Sequence, residues 1–211
     1  MTGTIDSNPD VNATDVNSSD FWDRLYQTDQ FGWDLGGPTP VFRRLAESRR
    51  LKPAALLVLG AGRGHDARLF ARHGFQVTAV DFSAEAAAAM KELADPQFPT
   101  EIVQADFFSL PATWNNRFDY ILDYTSYCAI LPDRRPEYAD LVARLLKPGG
   151  NYIILAFPIG RRSGGPPYVV QPNDIVASYA ERGFKLQHRE VPAESVANRK
   201  GYEELLILGK T

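Results

Sequence analysis

The chain has 211 residues, 44% of them hydrophobic and 23% charged, a balance that fits one ordinary folded domain able to bury a core. Its formal net charge of −3, with no Lys/Arg tail or basic stripe, excludes a global electrostatic footprint for nucleic acid or an anionic membrane. A single cysteine, Cys128, excludes an internal disulfide and a cysteine-built zinc cluster and reads as a buried, inert thiol.

In chain order, residues 1–19 are rich in Asp, Asn, Ser and Thr with almost no apolar partners, and they read as a disordered tail. Behind a cap at Asp20, Phe21, Trp22, Leu25 and Tyr26 recur at helical spacing. The Gly/Pro-rich run from Phe31 to Pro40 carries Trp33 and has two readings, a lid or a surface turn anchored by that tryptophan. Val41 to Arg50 reads as a second helix, so residues 20–50 form lid helices of a single domain over 20–211. No apolar run nears the roughly 20 residues needed to cross a bilayer, and no basic-then-apolar leader stands at the N-terminus; a cytoplasmic protein is expected.

The stretch Leu56-Leu57-Val58-Leu59-Gly60-Ala61-Gly62-Arg63-Gly64-His65-Asp66 reads as strand, tight turn and helix start. Glycines let a backbone turn sharply against a ligand, and a helix start offers unpaired N–H groups. Strands then alternate with helices: Gln76 to Asp81, a helix over Ala84 to Ala94, Glu101 to Asp106, Tyr120 to Asp123, a helix over Glu137 to Leu146 stopped by Lys147-Pro148-Gly149-Gly150, and Tyr152 to Phe157. After a loop from Pro158 to Pro172 come a helix over Asn173 to Arg182 and two strand-like runs, Phe184 to Val191 and Glu203 to Leu208. The pattern predicts an α/β fold: a three-layer, Rossmann-like, seven-stranded and mainly parallel sheet with an antiparallel edge pair.

Ligands of such sheets bind at the carboxyl ends of the strands. Asp81, Asp106 and Asp123 each stand at a strand end; Asp81, 21 positions after Gly60, sits where an acid hydrogen-bonds ribose hydroxyls. Each alone could equally be a cap or turn residue. The glycine spacing is G-x-G-x-G, one position short of the dinucleotide fingerprint, and the Gly-Lys-Ser/Thr ending of a Walker loop is absent.

These pieces, with Ala105-Asp106-Phe107-Phe108 and Leu146-Lys147-Pro148-Gly149-Gly150, resemble class I S-adenosylmethionine-dependent methyltransferases. One departure is Leu59, where many such enzymes carry an acid before the first glycine. Phe21-Trp22-Asp23, Trp33-Asp34-Leu35-Gly36, Asp123-Tyr124, Tyr127-Cys128-Ala129-Ile130 and Gly164-Gly165-Pro166-Pro167-Tyr168 are similar to the thiopurine-methyltransferase-like branch, closest to its halide and thiol methyltransferases. The resemblance implies S-adenosyl-L-methionine as cofactor and a small anionic or thiol substrate such as a halide, thiocyanate or bisulfide. It implies that Trp22, Tyr26 and Trp33 cover the cofactor, that Gly60, Ala61 and Gly62 lie beside its amino-acid part, that Asp81 and Phe82 meet the ribose, and that Asp106 and Phe107 flank the adenine, with Asp123 at the same strand ends.

Methyl transfer from a sulfonium is an in-line displacement, governed by alignment and water exclusion. A soft anion arrives deprotonated and needs no general base; no Ser/His/Asp set is evident, and His65, His73 and His188 are scattered. Tyr168, Tyr124 and Trp33, with Tyr127 beside them, are expected to line an anion pocket; for Tyr168 the competing reading is a cap on a Pro-rich surface loop. Arg161, Arg162, Arg199 and Lys200 read either as a solvated charge cluster or as steering charges for anions. Two other functions share these features: methylation of a larger organic thiol or thiopurine, and non-catalytic S-adenosylmethionine binding in regulation. No metal, nucleic-acid or membrane partner is expected, and the sequence sets no oligomeric state.

Overall fold

The computed structural model describes residues 16–161 and 163–211; the tail expected over residues 1–15, and Arg162, lie outside the described residues. Five strands, β1 (Ala55–Leu59), β2 (Gln76–Asp81), β3 (Glu101–Gln104), β4 (Phe118–Tyr124) and β5 (Leu146–Ala156), pair in parallel. They are extended by β6 (Phe184–Glu190) and β7 (Glu204–Lys210) into one sheet of order β3-β2-β1-β4-β5-β7-β6. β7 pairs antiparallel with both β5 and β6, so it is the one reversed strand and makes the antiparallel edge pair with β6. Strand order reverses between β1 and β4, which opens a crevice at the carboxyl ends of the parallel strands.

Period-two alternation splits the core into two layers. In β1, Leu57 and Leu59 face one layer with Tyr138 and Val142 of α5 (Arg135–Leu145) and Ile175 and Tyr179 of α6 (Pro172–Ala180). Leu56 and Val58 face the other, with Phe42 and Leu45 of α2 (Pro40–Glu47), Phe70 of α3 (His65–Arg72) and Met90 of α4 (Ala84–Glu92). A central strand covered on both faces must be apolar throughout, which is why β1 reads as an unbroken hydrophobic run.

Several expected boundaries shift. The first helix, α1 (Ser19–Gln27), is capped by Ser18, whose hydroxyl accepts from the Asp20 amide (3.3 Å), and not by Asp20. Ordered structure begins ahead of it: Val16 is buried, and its carbonyl accepts from Trp22 Nε1 at 3.0 Å, so residues 16–19 are not tail. Lys147-Pro148-Gly149-Gly150 does not separate helix from strand, because β5 already starts at Leu146, opposite Phe118. The ladder is irregular before it resumes at Tyr120 opposite Asn151, and Gly149 supplies the positive φ (79°) inside that irregularity.

Candidate active site

A cavity of about 570 Å3 occupies the crevice, within the range of small-molecule sites (about 300 to 1,000 Å3). Its floor is the carboxyl edge of the sheet. Gly60 and Gly62 follow β1, Asp81 ends β2, Asp106 and Phe107 follow β3, Thr125 and Ser126 follow β4, and Phe157 follows β5. Gly60 adopts φ 61°, and a Cβ there would stand 2.8 Å from the Ser126 side chain, so only glycine lets β1 turn this close to β4.

Asp81 ties the glycine turn to the second strand: Oδ2 accepts from the Gly62 amide at 2.8 Å and Oδ1 from the Ser83 amide at 3.0 Å. Burial pushes its carboxyl up to about 6, opposed by those backbone hydrogen bonds. Asp106 Oδ1 accepts from the Phe108 amide at 2.9 Å, capping the 3-10 turn Phe107–Ser109 while facing the cavity.

The roof is aromatic. Trp22 and Trp33 meet edge to face with ring centroids 5.5 Å apart, Tyr26 meets Trp33 likewise at 5.5 Å, and Trp33 Nε1 donates to the Tyr26 hydroxyl at 3.2 Å. α1 is fastened over the cavity by Asp23, whose Oδ1 accepts from Ser83 Oγ (2.5 Å) and the Glu85 amide (3.3 Å). The loop carrying Trp33 is gripped by the start of α3. His65 Nε2 stands 3.3 Å from Asp34 Oδ1, and Asp66 accepts from the amide and hydroxyl of Thr39 at 2.8 and 2.7 Å. The His65 hydrogen bond holds the Asp34 carboxyl below its ordinary range, while burial pushes Asp66 up to about 6.

Of the residues singled out from sequence, Trp22, Tyr26, Trp33, Gly60, Gly62, Asp81, Phe82, Asp106 and Phe107 line this one cavity. Four others do not. Ala61 lies in the turn itself, its amide donating to Val80 O (3.0 Å) and its carbonyl accepting from Gly64 N (2.8 Å). Asp123 is 1% exposed and enclosed by the hydroxyls of Tyr138 (2.5 Å) and Tyr152 (2.9 Å) and the Tyr127 amide (3.1 Å), so it braces β4 from within the core. Tyr124 stands behind the wall with its hydroxyl between Glu203 and Arg199. Tyr168 is also outside the lining: its ring packs back against Gly165 and its amide donates to Cys128 O at 2.7 Å, leaving Gly165, Pro166 and Pro167 as the wall.

The basic residues separate. Arg161 and Lys200 are exposed, whereas Arg199 is 4% exposed and lines the cavity. One guanidinium nitrogen donates to the Tyr124 hydroxyl, and the other donates to the Gly32 and Trp33 carbonyls at 3.0 Å each. Its carbon lies 4.9 Å from the Phe157 ring centroid. Among the described residues Arg199 forms no ion pair. The family resemblance of Arg199-Lys200-Gly201 favours this pair over Arg161, but nothing in the sequence separates buried Arg199 from exposed Lys200. Val16 and Asn17, in a polar stretch, were equally silent, whereas Phe157 stands at a strand end, the place where lining residues are expected. Cys128 also lines the cavity; its thiol donates to Thr125 O (3.2 Å), and burial pushes it up to about 12, too high for a nucleophile.

A glycine turn, a strand-end carboxylate and an aromatic roof around one cavity fit an adenosyl cofactor, and the fold is that of S-adenosylmethionine-dependent methyltransferases. A solved 1,6-didemethyltoxoflavin-N1-methyltransferase from Burkholderia thailandensis, with S-adenosylhomocysteine bound, superposes with a TM-score of 0.72 over 97% of this chain and 93% of its own, at 22% identity. The thiopurine S-methyltransferase family matches residues 17–205, and the chain belongs to that family. It is 37% identical to probable thiol methyltransferase 2 of Arabidopsis thaliana over 90% of this chain and 84% of the relative. It is 35% identical to thiocyanate methyltransferase 1 of Brassica oleracea over 87% of this chain and 82% of the relative. The protein is therefore an S-adenosylmethionine-dependent methyltransferase. None of its described helices is long and apolar enough to cross a membrane.

Proposed function

We propose that the enzyme methylates a small, soft, sulfur-bearing or halide anion: thiocyanate, bisulfide, iodide, bromide or chloride, giving a methyl thiol, methyl thiocyanate or methyl halide and S-adenosylhomocysteine. The observation that carries this reading is Arg199, a cation 4% exposed in the cavity wall with no carboxylate paired to it among the described residues. A buried charge is costly unless something of opposite sign meets it, so an anion entering here is attracted strongly and desolvated by the walls. The names of the plant relatives, thiol and thiocyanate methyltransferase, point the same way.

When bound, S-adenosylmethionine supplies an electrophilic methyl on a positively charged sulfur. The chain's own part is placement. Asp81 would receive the ribose hydroxyls and Asp106 and Phe107 would flank the base, while Trp22, Tyr26 and Trp33 would shut out water and present ring faces to the sulfonium. Arg199 would hold the nucleophile on the far side of the methyl for in-line attack, a positioning effect that needs no general base. Trp33 faces the reacting space directly; Tyr124 acts through Arg199, and Tyr168 supports the Gly165–Pro167 wall.

The test is headspace detection of methyl iodide, methyl thiocyanate and methanethiol from purified enzyme supplied with each anion, beside Arg199→Leu. Wild type is expected to form at least one of them, and the variant to lose about 100-fold in kcat/KM, the scale of a charged hydrogen bond. Equal kinetics in the variant would contradict the role given to Arg199.

A further inference from the structure

We infer that Glu203 is the positioning residue that aims Arg199 at the cavity, acting through the phenol of Tyr124; this rests on the anion reading above. Glu203 is 1% exposed and stands just ahead of β7. A buried carboxylate without a cation needs donors, and among the described residues Glu203 has no ion pair. The donor it does have is the Tyr124 hydroxyl. The same phenol oxygen accepts from Arg199, so the three residues form one chain: carboxylate, phenol, guanidinium.

The order of the chain matters. A phenol has one proton, and giving it to Glu203 turns the oxygen's lone pairs toward Arg199 and polarises them, which strengthens the second bond. Burial and the neighbouring Glu203 charge both hold the Tyr124 hydroxyl far above its ordinary range, so it stays protonated. Placed one phenol away and not in direct contact, the carboxylate compensates Arg199 enough for burial but leaves its charge available to a ligand in the cavity. The other side of the guanidinium reaches the Gly32 and Trp33 carbonyls at 3.0 Å, so Arg199 keeps its hold on the loop that carries Trp33 when the phenol link is cut.

Glu203→Gln keeps an acceptor for the phenol and removes the charge, Glu203→Leu removes both, and Tyr124→Phe removes the link while keeping the ring. Thiocyanate binding to the S-adenosylhomocysteine complex, read by equilibrium dialysis, is compared with S-adenosylhomocysteine affinity by calorimetry and with KM and kcat for thiocyanate. Glu203→Leu and Tyr124→Phe are each expected to raise the thiocyanate Kd and KM about tenfold, with kcat and cofactor affinity within about twofold. Glu203→Gln should restore binding to within about threefold of wild type, and the Leu/Phe double variant should be no worse than either single one. Unchanged thiocyanate binding in Tyr124→Phe, or multiplicative losses in the double variant, would overturn the positioning role. If Glu203→Leu does not fold, Tyr124→Phe and Glu203→Gln decide by the same criteria. A wild-type complex that binds none of the anions would overturn the anion reading, and this inference with it.

Discussion

Asp81 is a carboxylate in the cavity lining. Its carboxyl lies at about 6 because burial outweighs the amides of Gly62 and Ser83. If ribose hydroxyls donate to it, the ionised form binds and the protonated form does not. The sign follows: the ionised fraction climbs from about one tenth at pH 5 to about nine tenths at pH 7. S-adenosylhomocysteine affinity should rise about tenfold over that interval, and Asp81→Asn should flatten the profile; calorimetric titrations at several pH values check both. Asp81 was legible in sequence because an acid at a strand end has a local meaning. Asp123 has the same local signature and a different fate. The hydroxyls that enclose it come from Tyr138 and Tyr152, 15 and 29 residues away, and only the fold brings them together. The burial of Arg199 was illegible for the same reason, since its partners are the carbonyls of Gly32 and Trp33 and the Tyr124 phenol, 167, 166 and 75 positions distant.

The helices flanking the cavity are joined by few, nameable contacts, which makes their motion testable. α1 is held to α4 by Asp23 on Ser83 and Glu85, and by Gln27 Nε2 donating to Glu85 Oε1 at 2.8 Å. Asp23→Ala removes two of these bonds, a loss of about 1 to 2 kcal/mol from the closed position. S-adenosylhomocysteine should then dissociate several-fold faster in stopped-flow tryptophan fluorescence; an unchanged rate would mean that α1 does not gate release. The grip of α3 on the lid loop has a pH signature. Asp66 is raised from 3.8 to about 6, so the folded state holds its proton more tightly than the unfolded chain, and its contribution is full below about pH 4 and lost as pH rises through 6. Unfolding free energies of wild type should fall by a few kcal/mol more than those of Asp66→Asn between pH 4 and 7. Element reading from sequence was sharpest for the short strands between helices: β2 spans Gln76–Asp81 as expected, an apolar run ending at an acid. It slipped at β5, where the Pro-Gly-Gly stop signal sits inside a strand that bends around it, and at α1, where Val16 owes its burial to the tertiary structure.

At the scale of the molecule, the apolar sheet is buried on both faces, and the chemistry is confined to one rim of it. That separation lets the fold be read from pattern while the substrate cannot be, since the substrate wall is assembled from loops on either side of the strand order reversal. A cofactor seated in this cavity would bridge α1, the glycine turn and the strand ends, so saturating it should stabilise the fold. At ~100 times its dissociation constant, S-adenosylmethionine should add about 2.7 kcal/mol, or roughly 5 to 10 °C in Tm, whereas NAD should add nothing measurable by thermal shift. On the proposed reading, the buried cation Arg199 in the cavity wall selects a small soft anion over a bulky thiol. The most direct test of this selection is a competition assay in which the wild-type enzyme, S-adenosylmethionine, thiocyanate and a bulky aromatic thiol are mixed and both methylated products are quantified by mass spectrometry. Methyl thiocyanate as the dominant product is the expected result; methylation of the bulky thiol with no methyl thiocyanate formed would contradict it.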